Sequence, residues 1–398
     1  MPEEKQAIGI ISLYYGSKNY GAILQAYALC RCLRGMGYKA EQIRYSWRTS
    51  SSFPPRPFLD RLKRLTLKKL CKEITVRMLR KPLRERAVAT LAFAENRIPN
   101  SAVVYTAETI QSCRTYDAYI AGSDQVWNLE LYEPVHEPTF FLTFVPDGKK
   151  KLAYAASIGH KSLTEAQAAR FREYLQSFSA VSVREVDSVD LLSPLVSVPV
   201  EWLCDPVLLL TRKEWDEVCA DRLVKKPYVF CYFLGEGPAP RKLAADFAKK
   251  RKLSVVSIPH VPVSYHKNDV GFGDKRLYKV SPAEFLSLIR YADYVFTDSF
   301  HGTTFSQLFE KEYFVLRHNR SNRIYSALEL FGCPERFCDA DGKETLDYIE
   351  HLPPASPERA RSAIEALRKR SFEFLEENLA CQEPPTRSET PPTASPEK

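Results

Sequence analysis

The side chains best suited to chemistry lie in one short stretch, Asp298-Ser-Phe-His-Gly302. The apolar residues that end at Thr297 predict a buried strand, and the residues from His301 onward recur at the three- and four-residue spacing of a helix. Ligands of open α/β proteins bind where parallel strands end and helices begin. Asp298 or Ser299 could cap this helix, and the positive end of its dipole favours an anion beside His301. The alternative is a capped core helix that carries a surface histidine.

Two more polar loops follow apolar runs that predict buried strands. The loop at residues 16–21 has glycine at both ends and precedes a helix, so it either meets a ligand or forms a tight turn. The loop after strand 116–121 carries Asp124, Trp127 and Asn128. These residues suit a saccharide, because polar side chains bind hydroxyls and an aromatic face covers the sugar ring. The alternative is a capped turn in which Trp127 packs inward.

Arginines stand at two further strand ends. Arg184 follows a short apolar strand, and the loop at residues 317–323 carries three arginines and ends at Arg323, near the start of a helix. A guanidinium fork there is well placed to bind a carboxylate or a phosphate. For Arg184 the alternative is a salt bridge with Glu185 or Asp187, and for the second loop it is an exposed connection.

Composition indicates a globular chain of 398 residues, long enough for two cores. No apolar run reaches the roughly 18 residues of a membrane-spanning helix, and no signal-peptide pattern follows the N-terminus, so we expect the protein in the cytoplasm. Ten cysteines form no C-x-x-C pair and show no zinc spacing, so we expect reduced thiols and no metal.

The positive charge is concentrated in one segment. Residues 56–86 hold twelve Lys/Arg and three Asp/Glu, whereas the rest of the chain holds 45 basic and 46 acidic residues. Leucines at near-helical spacing between these charges predict a basic amphipathic helix, or two helices separated at Pro82. Such a helix is typical of contact with an anionic membrane; the alternative is a solvated insertion. We do not expect nucleic acid, since the basic residues are not interleaved with aromatics.

The order of elements predicts an α/β protein with two Rossmann-like domains that face a cleft, a GT-B-like architecture. Residues 1–212 form the first domain, with the basic helical insertion at about 56–97. Residues 226–350 form the second domain, in which Ser281-Pro-Ala-Glu284 predicts a capping box. A terminal helix is expected at 357–380, and a disordered Pro/Ser/Thr-rich tail at 382–398.

Five blocks of the sequence resemble the polysaccharide pyruvyl transferase family, in the family's order, over roughly residues 8 to 332. The blocks are Asn19-Tyr-Gly-Ala-Ile-Leu-Gln-Ala-Tyr-Ala28, Tyr116-Asp-Ala-Tyr-Ile-Ala-Gly-Ser-Asp-Gln-Val-Trp-Asn128, Ser182-Val-Arg-Glu185, Cys204-Asp-Pro-Val-Leu208 and Asp298-Ser-Phe-His-Gly302. Members transfer the pyruvyl group of phosphoenolpyruvate to two sugar hydroxyls, forming a cyclic ketal and releasing phosphate. Their acceptors are exopolysaccharides or lipid-linked cell-wall saccharides.

The resemblance implies phosphoenolpyruvate as the donor substrate, with no further cofactor. It implies His301 as the acid/base group, since the donor's methylene carbon gains a proton while each hydroxyl loses one. The implied donor-binding residues are Arg184, Arg323, Ser299 and Gly302. The implied acceptor-binding residues are Asn19, Tyr20, Asp124, Trp127 and Asn128.

One difference from the family lies next to the histidine. Many members carry Arg-Leu-His where this chain has Ser299-Phe-His, so a guanidinium is missing that Arg317, Arg320 or Arg323 would have to replace. Two other functions remain open: a glycosyltransferase of the same fold that uses a nucleotide sugar, and a saccharide-binding protein without catalysis.

Overall fold

The computed structural model describes residues 6–47, 67–259, 267–317, 322–339 and 344–380. Within these ranges the chain forms two parallel sheets, one of seven strands and one of six, with helices packed against them. This architecture confirms the predicted α/β class with two Rossmann-like halves. The predicted domain ranges 1–212 and 226–350 each contain one of the sheets.

The first sheet lies in the first domain. Its strands are β1 (Ala7–Ile11), β2 (Lys39–Tyr45), β3 (Asn100–Tyr105), β4 (Ala118–Asp124), β5 (Lys150–Ala156), β6 (Ala180–Val183) and β7 (Val200–Trp202). The strand order is β3-β2-β1-β4-β5-β6-β7. The helices are α1 (Tyr20–Gly35), α2 (Leu67–Arg97), α3 (Glu137–Phe140), α4 (Glu165–Leu175), α5 (Asp187–Leu192) and α6 (Arg212–Asp216). All residues of β4 are buried, as in a central parallel strand covered on both faces.

The second sheet repeats this plan. Its strands are β8 (Tyr228–Tyr232), β9 (Ser254–Ser257), β10 (Lys275–Arg276), β11 (Tyr294–Thr297), β12 (Glu312–Leu316) and β13 (Phe337–Cys338), in the order β10-β9-β8-β11-β12-β13. The helices are α7 (Pro238–Lys250), α8 (Pro282–Arg290), α9 (Phe300–Leu308), α10 (Asn322–Leu330) and α11 (Glu344–His351). In both sheets the order reverses beside the first strand, which is where doubly wound folds open a ligand crevice.

Capping residues and prolines set several helix and strand boundaries. The capping box predicted at the start of α8 is confirmed, because Ser281 Oγ accepts a hydrogen bond from Glu284 N and Glu284 Oε2 accepts one from Ser281 N. The apolar run at residues 202–210 predicts the last strand of the first domain, but the strand ends at Trp202. A 3-10 turn from Pro206 to Leu208 follows, since a proline cannot donate a ladder hydrogen bond.

The last helix, α12 (Pro357–Leu379), returns from the second domain to the first. Arg368 Nε donates to Leu208 O at 2.6 Å, and Arg370 donates from two nitrogens to the carboxylate of Glu201 at 2.7 and 2.8 Å. A helix was predicted here over 357–380. The tail predicted to be disordered, 382–398, lies outside the described residues.

Helix α2 belongs to the predicted basic insertion and continues through Pro82 without a break. Its second half is held by packing, with Arg86, Thr90 and Phe93 buried. Such packing can offset the hydrogen bond that a proline removes from a helix. Residues 56–66 of the predicted insertion lie outside the described residues. No helix among the described residues is long and apolar enough to cross a bilayer.

Tyr20 and Arg86 hold the first domain against the second. The hydroxyl of the fully buried Tyr20 donates to Val280 O at 2.9 Å, and its ring stacks on Phe285 with centroids 4.8 Å apart. The Arg86 guanidinium lies 4.9 Å from the Tyr20 ring centroid and donates to Pro259 O at 3.0 Å. Tyr20, which was predicted to bind the acceptor, is therefore part of the contact between the two domains.

This placement predicts the effect of Tyr20→Phe. The variant keeps the stacked ring and loses one buried hydrogen bond, so we expect the free energy of unfolding to fall by about 1 kcal/mol. Donor and acceptor binding should be unchanged. Denaturant unfolding together with ligand titration checks this. Weaker saccharide binding at unchanged stability would instead return the Tyr20 hydroxyl to the ligand site.

Candidate active site

The candidate active site lies where strand ends of the two sheets meet. Arg184 follows β6, Asp205 follows β7, and His301 lies in the first turn of α9, just beyond β11. The N-terminus of α1, capped by the side chain of Asn19, approaches the same point, since Asn19 Oδ1 accepts from Gly21 N at 3.0 Å. Side chains from both domains thus form one cluster.

His301 is buried at the junction between the domains. The residue is 6% exposed, so the alternative of a surface histidine is wrong. Nε2 lies 3.5 Å from Asp205 Oδ2, a distance for an ion pair rather than a short hydrogen bond. The ring sits against the backbone of Gly21 and meets the Phe300 ring edge-on, with centroids 5.1 Å apart. The imidazole is therefore held in place by groups from both domains.

Asp205 links His301 to Arg184. Its Oδ2 accepts from Arg184 Nη1 at 2.7 Å, and its Oδ1 accepts from Val207 N at 3.0 Å. Burial alone would raise the pKa of Asp205, but the positive charges of His301 and Arg184 outweigh burial and hold that pKa well below its usual range. Asp205 is therefore a fixed anion that orients the Arg184 guanidinium and the His301 ring.

Arg184 lies at the centre of the cluster and is 5% exposed. Besides Asp205, it contacts Glu185, whose Oε1 accepts from Nε at 3.1 Å, and Asp124, whose Oδ1 is 3.5 Å from Nη1. Burial alone would lower the pKa of Arg184, but Glu185, Asp205 and Asp124 raise it above its ordinary value. The salt bridge with Glu185 that the sequence left open is thus present. Among the described residues, Nη2 has no hydrogen-bond partner.

The residues that distinguish this chain from many relatives serve the same cluster. The ring of Phe300 lies under the Arg184 guanidinium, 4.3 Å from centroid to Cζ, a cation–π distance. Ser299 caps α9, because its hydroxyl accepts from Gly302 N at 3.3 Å. A Cβ on Gly302 would lie 2.6 Å from Thr297 Oγ1. Gly302 therefore permits close packing of helix on strand, and donor contact by Ser299 and Gly302 stays a prediction.

Two cavities adjoin the cluster. The smaller one, the junction cavity, has a volume of about 20 Å³ and is lined by Arg184, Asp205, Phe300 and Arg323 among others. The larger one, the outer cavity, has a volume of about 360 Å³ and lies between the loops after β4, β5 and β6 and helix α10. Its walls include Gln125, Asn128, His160, Glu185, Arg323 and Ser326. Arg323 lines both cavities, so two predicted donor-binding arginines share one junction.

Only some of the remaining predicted site residues lie beside the cluster or its cavities. Asn128 lines the outer cavity and Asp124 lies beside Arg184. Trp127 is fully buried, with its ring stacked on Phe141 at 5.4 Å and its Nε1 donating to Phe140 O. Trp127 therefore packs the core, as the alternative had it, and leaves no ring face for a sugar. Arg317, a proposed replacement arginine, pairs with Asp339 at 2.8 Å, and Arg320 lies outside the described residues.

Two residues of the cluster were missed as site residues. Asp205 and Glu185 stand inside blocks that carried the family resemblance, Cys204-Asp-Pro-Val-Leu208 and Ser182-Val-Arg-Glu185, yet no chemistry was assigned to them. An acidic residue at a strand end next to proline, or next to an arginine, is the signal that could have found them.

The contact between Gly21 and His301 predicts a large effect of one methyl group. A Cβ on Gly21 would lie 2.0 Å from His301 Nδ1, so Gly21→Ala must displace the ring. Because a shift of about 1 Å in a catalytic group can cost about 10²-fold in rate, we expect turnover to fall by about that factor.

The matched control is Gly35→Ala at the other end of α1, where an added Cβ meets nothing within 4 Å. It should keep turnover and raise stability by up to about 1 kcal/mol. Turnover rates and denaturant unfolding of both variants check this. Wild-type turnover in Gly21→Ala would show that the position of His301 is not critical.

Comparison with solved structures identifies the class of fold. UDP-GlcNAc 2-epimerase from Methanocaldococcus jannaschii superposes with a TM-score of 0.53 over 92% of this chain and 99% of that chain, at 11% identity. UDP-N-acetylglucosamine 2-epimerase from Rickettsia bellii gives a TM-score of 0.52 over 95% and 97%, at 9% identity. The fold is therefore the GT-B-like arrangement of these epimerases, and at these identities the likeness concerns the fold alone.

Sequence comparison identifies the family. Residues 19–320 match the polysaccharide pyruvyl transferase family. No curated protein matches the chain. Because the match covers most of the sequence, the chain belongs to the polysaccharide pyruvyl transferase family and is a transferase.

Proposed function

We propose that this transferase moves the pyruvyl group of phosphoenolpyruvate onto two hydroxyls of a saccharide, forming a cyclic ketal and releasing phosphate. The observation that carries the proposal is the buried guanidinium of Arg184, whose Nη2 lacks a partner among the described residues, next to the buried His301. A buried donor without a partner is unfavourable. The carboxylate or phosphate of phosphoenolpyruvate would supply the missing acceptor.

The surrounding charges support an anionic donor. Asp205 and Glu185 occupy Nη1 and Nε of Arg184 and fix the plane of the guanidinium, which leaves one edge for a ligand. Arg323 adds a second guanidinium at the wall of both cavities. Two arginines at the same junction favour a ligand with two anionic groups.

His301 supplies the acid/base chemistry in this proposal. The methylene carbon of phosphoenolpyruvate must gain a proton as the ketal forms, and each hydroxyl must lose one. Histidine is the side chain whose ordinary pKa lies closest to neutral pH. The ion pair with Asp205 and the contact with Gly21 orient the ring, so proton transfer would occur from a fixed position.

The direct test is to incubate the protein with phosphoenolpyruvate and a panel of saccharides. We expect inorganic phosphate to appear in step with a saccharide product that mass spectrometry identifies as a pyruvate ketal. The His301→Gln variant should form both at a rate lower by about 10²-fold or more. Transfer of a sugar from UDP- or GDP-sugars without any ketal would favour a glycosyltransferase instead.

We further propose that the acceptor is lipid-linked and that the basic insertion brings the enzyme to an anionic membrane. The support is the concentration of positive charge at residues 56–86, of which 56–66 lie outside the described residues. Each basic residue near an anionic surface contributes about 1 kcal/mol, and salt screens that attraction over a Debye length of about 10 Å at 0.1 M.

This proposal predicts salt-sensitive binding to vesicles. Wild-type protein should co-sediment with anionic vesicles and much less with neutral ones. In a variant with Lys63, Arg64, Lys68 and Lys69 changed to Glu, co-sedimentation with anionic vesicles should fall to the level seen with neutral vesicles. Equal pelleting on both lipids, or by both proteins, would leave the segment as a solvated insertion and favour a soluble acceptor.

A further inference from the structure

One wall of the outer cavity is organised by hydrogen bonds before any ligand binds. Asn128 Nδ2 donates to Gln125 Oε1 at 2.7 Å, and Asn128 Oδ1 accepts from Glu130 N at 3.1 Å and lies 3.0 Å from His160 Nε2. Gly159 makes this possible, because its φ is +75° and a Cβ there would lie 2.4 Å from Asn128 Nδ2. This wall presents fixed amide and imidazole groups of the kind that bind hydroxyls.

Glu185 is the buried carboxylate of this cavity. The residue is 7% exposed, and its Oε1 accepts from Arg184 Nε at 3.1 Å. No described residue hydrogen-bonds to its Oε2, which is itself buried. An unpartnered carboxylate oxygen beside a cavity marks a place where a ligand donor would complete the site. By contrast, both oxygens of Asp205 are occupied, by Val207 N and by Arg184 Nη1.

We propose that the outer cavity binds the acceptor sugar and that Glu185 Oε2 is a second catalytic base, which takes the proton of one acceptor hydroxyl. The inference rests on the proposed function and deepens it. Arg184 lies between the two acid/base groups, contacting Asp205, the partner of His301, on one side and Glu185 on the other. A donor held by Arg184 would therefore have His301 and Glu185 on different sides.

With this arrangement, every proton that moves during ketal formation has a donor and an acceptor. The protonated His301 gives its proton to the methylene carbon, and the first hydroxyl oxygen bonds to the central carbon while its proton passes to Glu185. The bond from that carbon to the phosphate oxygen then breaks with its electron pair, and the second hydroxyl oxygen takes its place. The second hydroxyl proton returns to His301, and Glu185 passes its proton to the departing phosphate. Both residues end as they began.

The charges of the cavity indicate a neutral acceptor. Three carboxylates line it, those of Glu130, Glu185 and Asp187, together with the cations Lys161 and Arg323. Arg323 also lines the junction cavity together with Arg184, the arginine proposed to bind the donor anion. A sugar that carries its own carboxylate would face like charges. A neutral hexopyranoside with two neighbouring hydroxyls fits the cavity best.

The test uses the full chain with phosphoenolpyruvate and methyl glycosides of glucose, galactose and mannose as probes. Glu185→Gln keeps the shape and the Oε1 acceptor but removes the base. We expect ketal formation to fall by about 10²-fold or more, with phosphoenolpyruvate affinity within about twofold of wild type. Glu185→Asp, which restores a carboxylate, should recover part of the rate.

The matched control is Asp190→Asn, an exposed carboxylate on α5, the helix that follows Glu185, outside the cavity wall. It should transfer at the wild-type rate. Full transfer by Glu185→Gln, or no transfer by wild type to any of the three glycosides while phosphoenolpyruvate still binds, would overturn the inference and leave the proposed donor intact. Absence of phosphoenolpyruvate binding by wild type would overturn the proposed function itself.

Discussion

Replacing His301 by glutamine is expected to lower pyruvyl transfer by about 10²-fold or more, because the variant has no group that can both give and take a proton near neutral pH. Glutamine fits the space better than alanine would, which matters for a residue that is 6% exposed and packed against Gly21 and Phe300. We therefore expect the free energy of unfolding to change by only about 1 kcal/mol. Steady-state rates and denaturant unfolding measure the two effects separately.

Two controls show whether the loss of rate is specific to catalysis by His301. His351→Gln alters an exposed histidine, 77% exposed in its side chain, and should change neither rate nor stability. Phosphoenolpyruvate affinity of His301→Gln should stay within a few-fold of wild type, because Arg184 and Arg323 are the residues proposed to hold the donor. Undiminished transfer by His301→Gln would exclude His301 as the acid/base group.

Replacing Arg184 by lysine should weaken phosphoenolpyruvate binding by about 10- to 100-fold. Lysine keeps the positive charge but cannot reach Asp205, Glu185 and a ligand at once, as the planar guanidinium does. Hydrogen bonds to charged groups contribute about 1.5–3 kcal/mol each, and a change of 1.4 kcal/mol is about tenfold in affinity. Calorimetric titration of phosphoenolpyruvate into wild type and variant measures the loss.

The chain offers a matched control in its second domain. Arg241 is 3% exposed and pairs with Asp269 at 2.6 Å, so Arg241→Lys disturbs a buried ion pair of the same kind. Both variants should lose stability, but only Arg184→Lys should lose donor affinity. Arg323→Lys should also weaken the donor. Unchanged affinity in Arg184→Lys and Arg323→Lys would mean that the anion binds elsewhere.

Much of the fold follows from local sequence signals. The strand Lys39–Tyr45 and the cap at Ser281 are set by residues that are neighbours in the chain, so pattern and capping chemistry predict them. The strand expected over residues 202–210 stops at Trp202, because Pro206 and the capping carboxylate of Asp205 favour a turn over a continued strand.

The site was predictable only in part. His301, Arg184 and Arg323 stand at strand ends and helix starts, and parallel sheets bring such ends together. The burial of His301 and its contact with Asp205 depend on how two domains pack, which no spacing within the sequence encodes. Trp127 shows the same limit, since an aromatic residue after a strand can face a ligand or the core with the same sequence pattern.

Saturation-transfer NMR of the wild-type protein with phosphoenolpyruvate, UDP-GlcNAc and a GDP-sugar tests the central claim most directly. The proposed donor site, built around Arg184 and His301, predicts saturation of the phosphoenolpyruvate methylene protons, weakened in Arg184→Lys and retained in Arg241→Lys. Nucleotide sugars should show no saturation that depends on Arg184. Saturation of a nucleotide sugar without any of phosphoenolpyruvate would contradict pyruvyl transfer and support a nucleotide-sugar enzyme of the same fold.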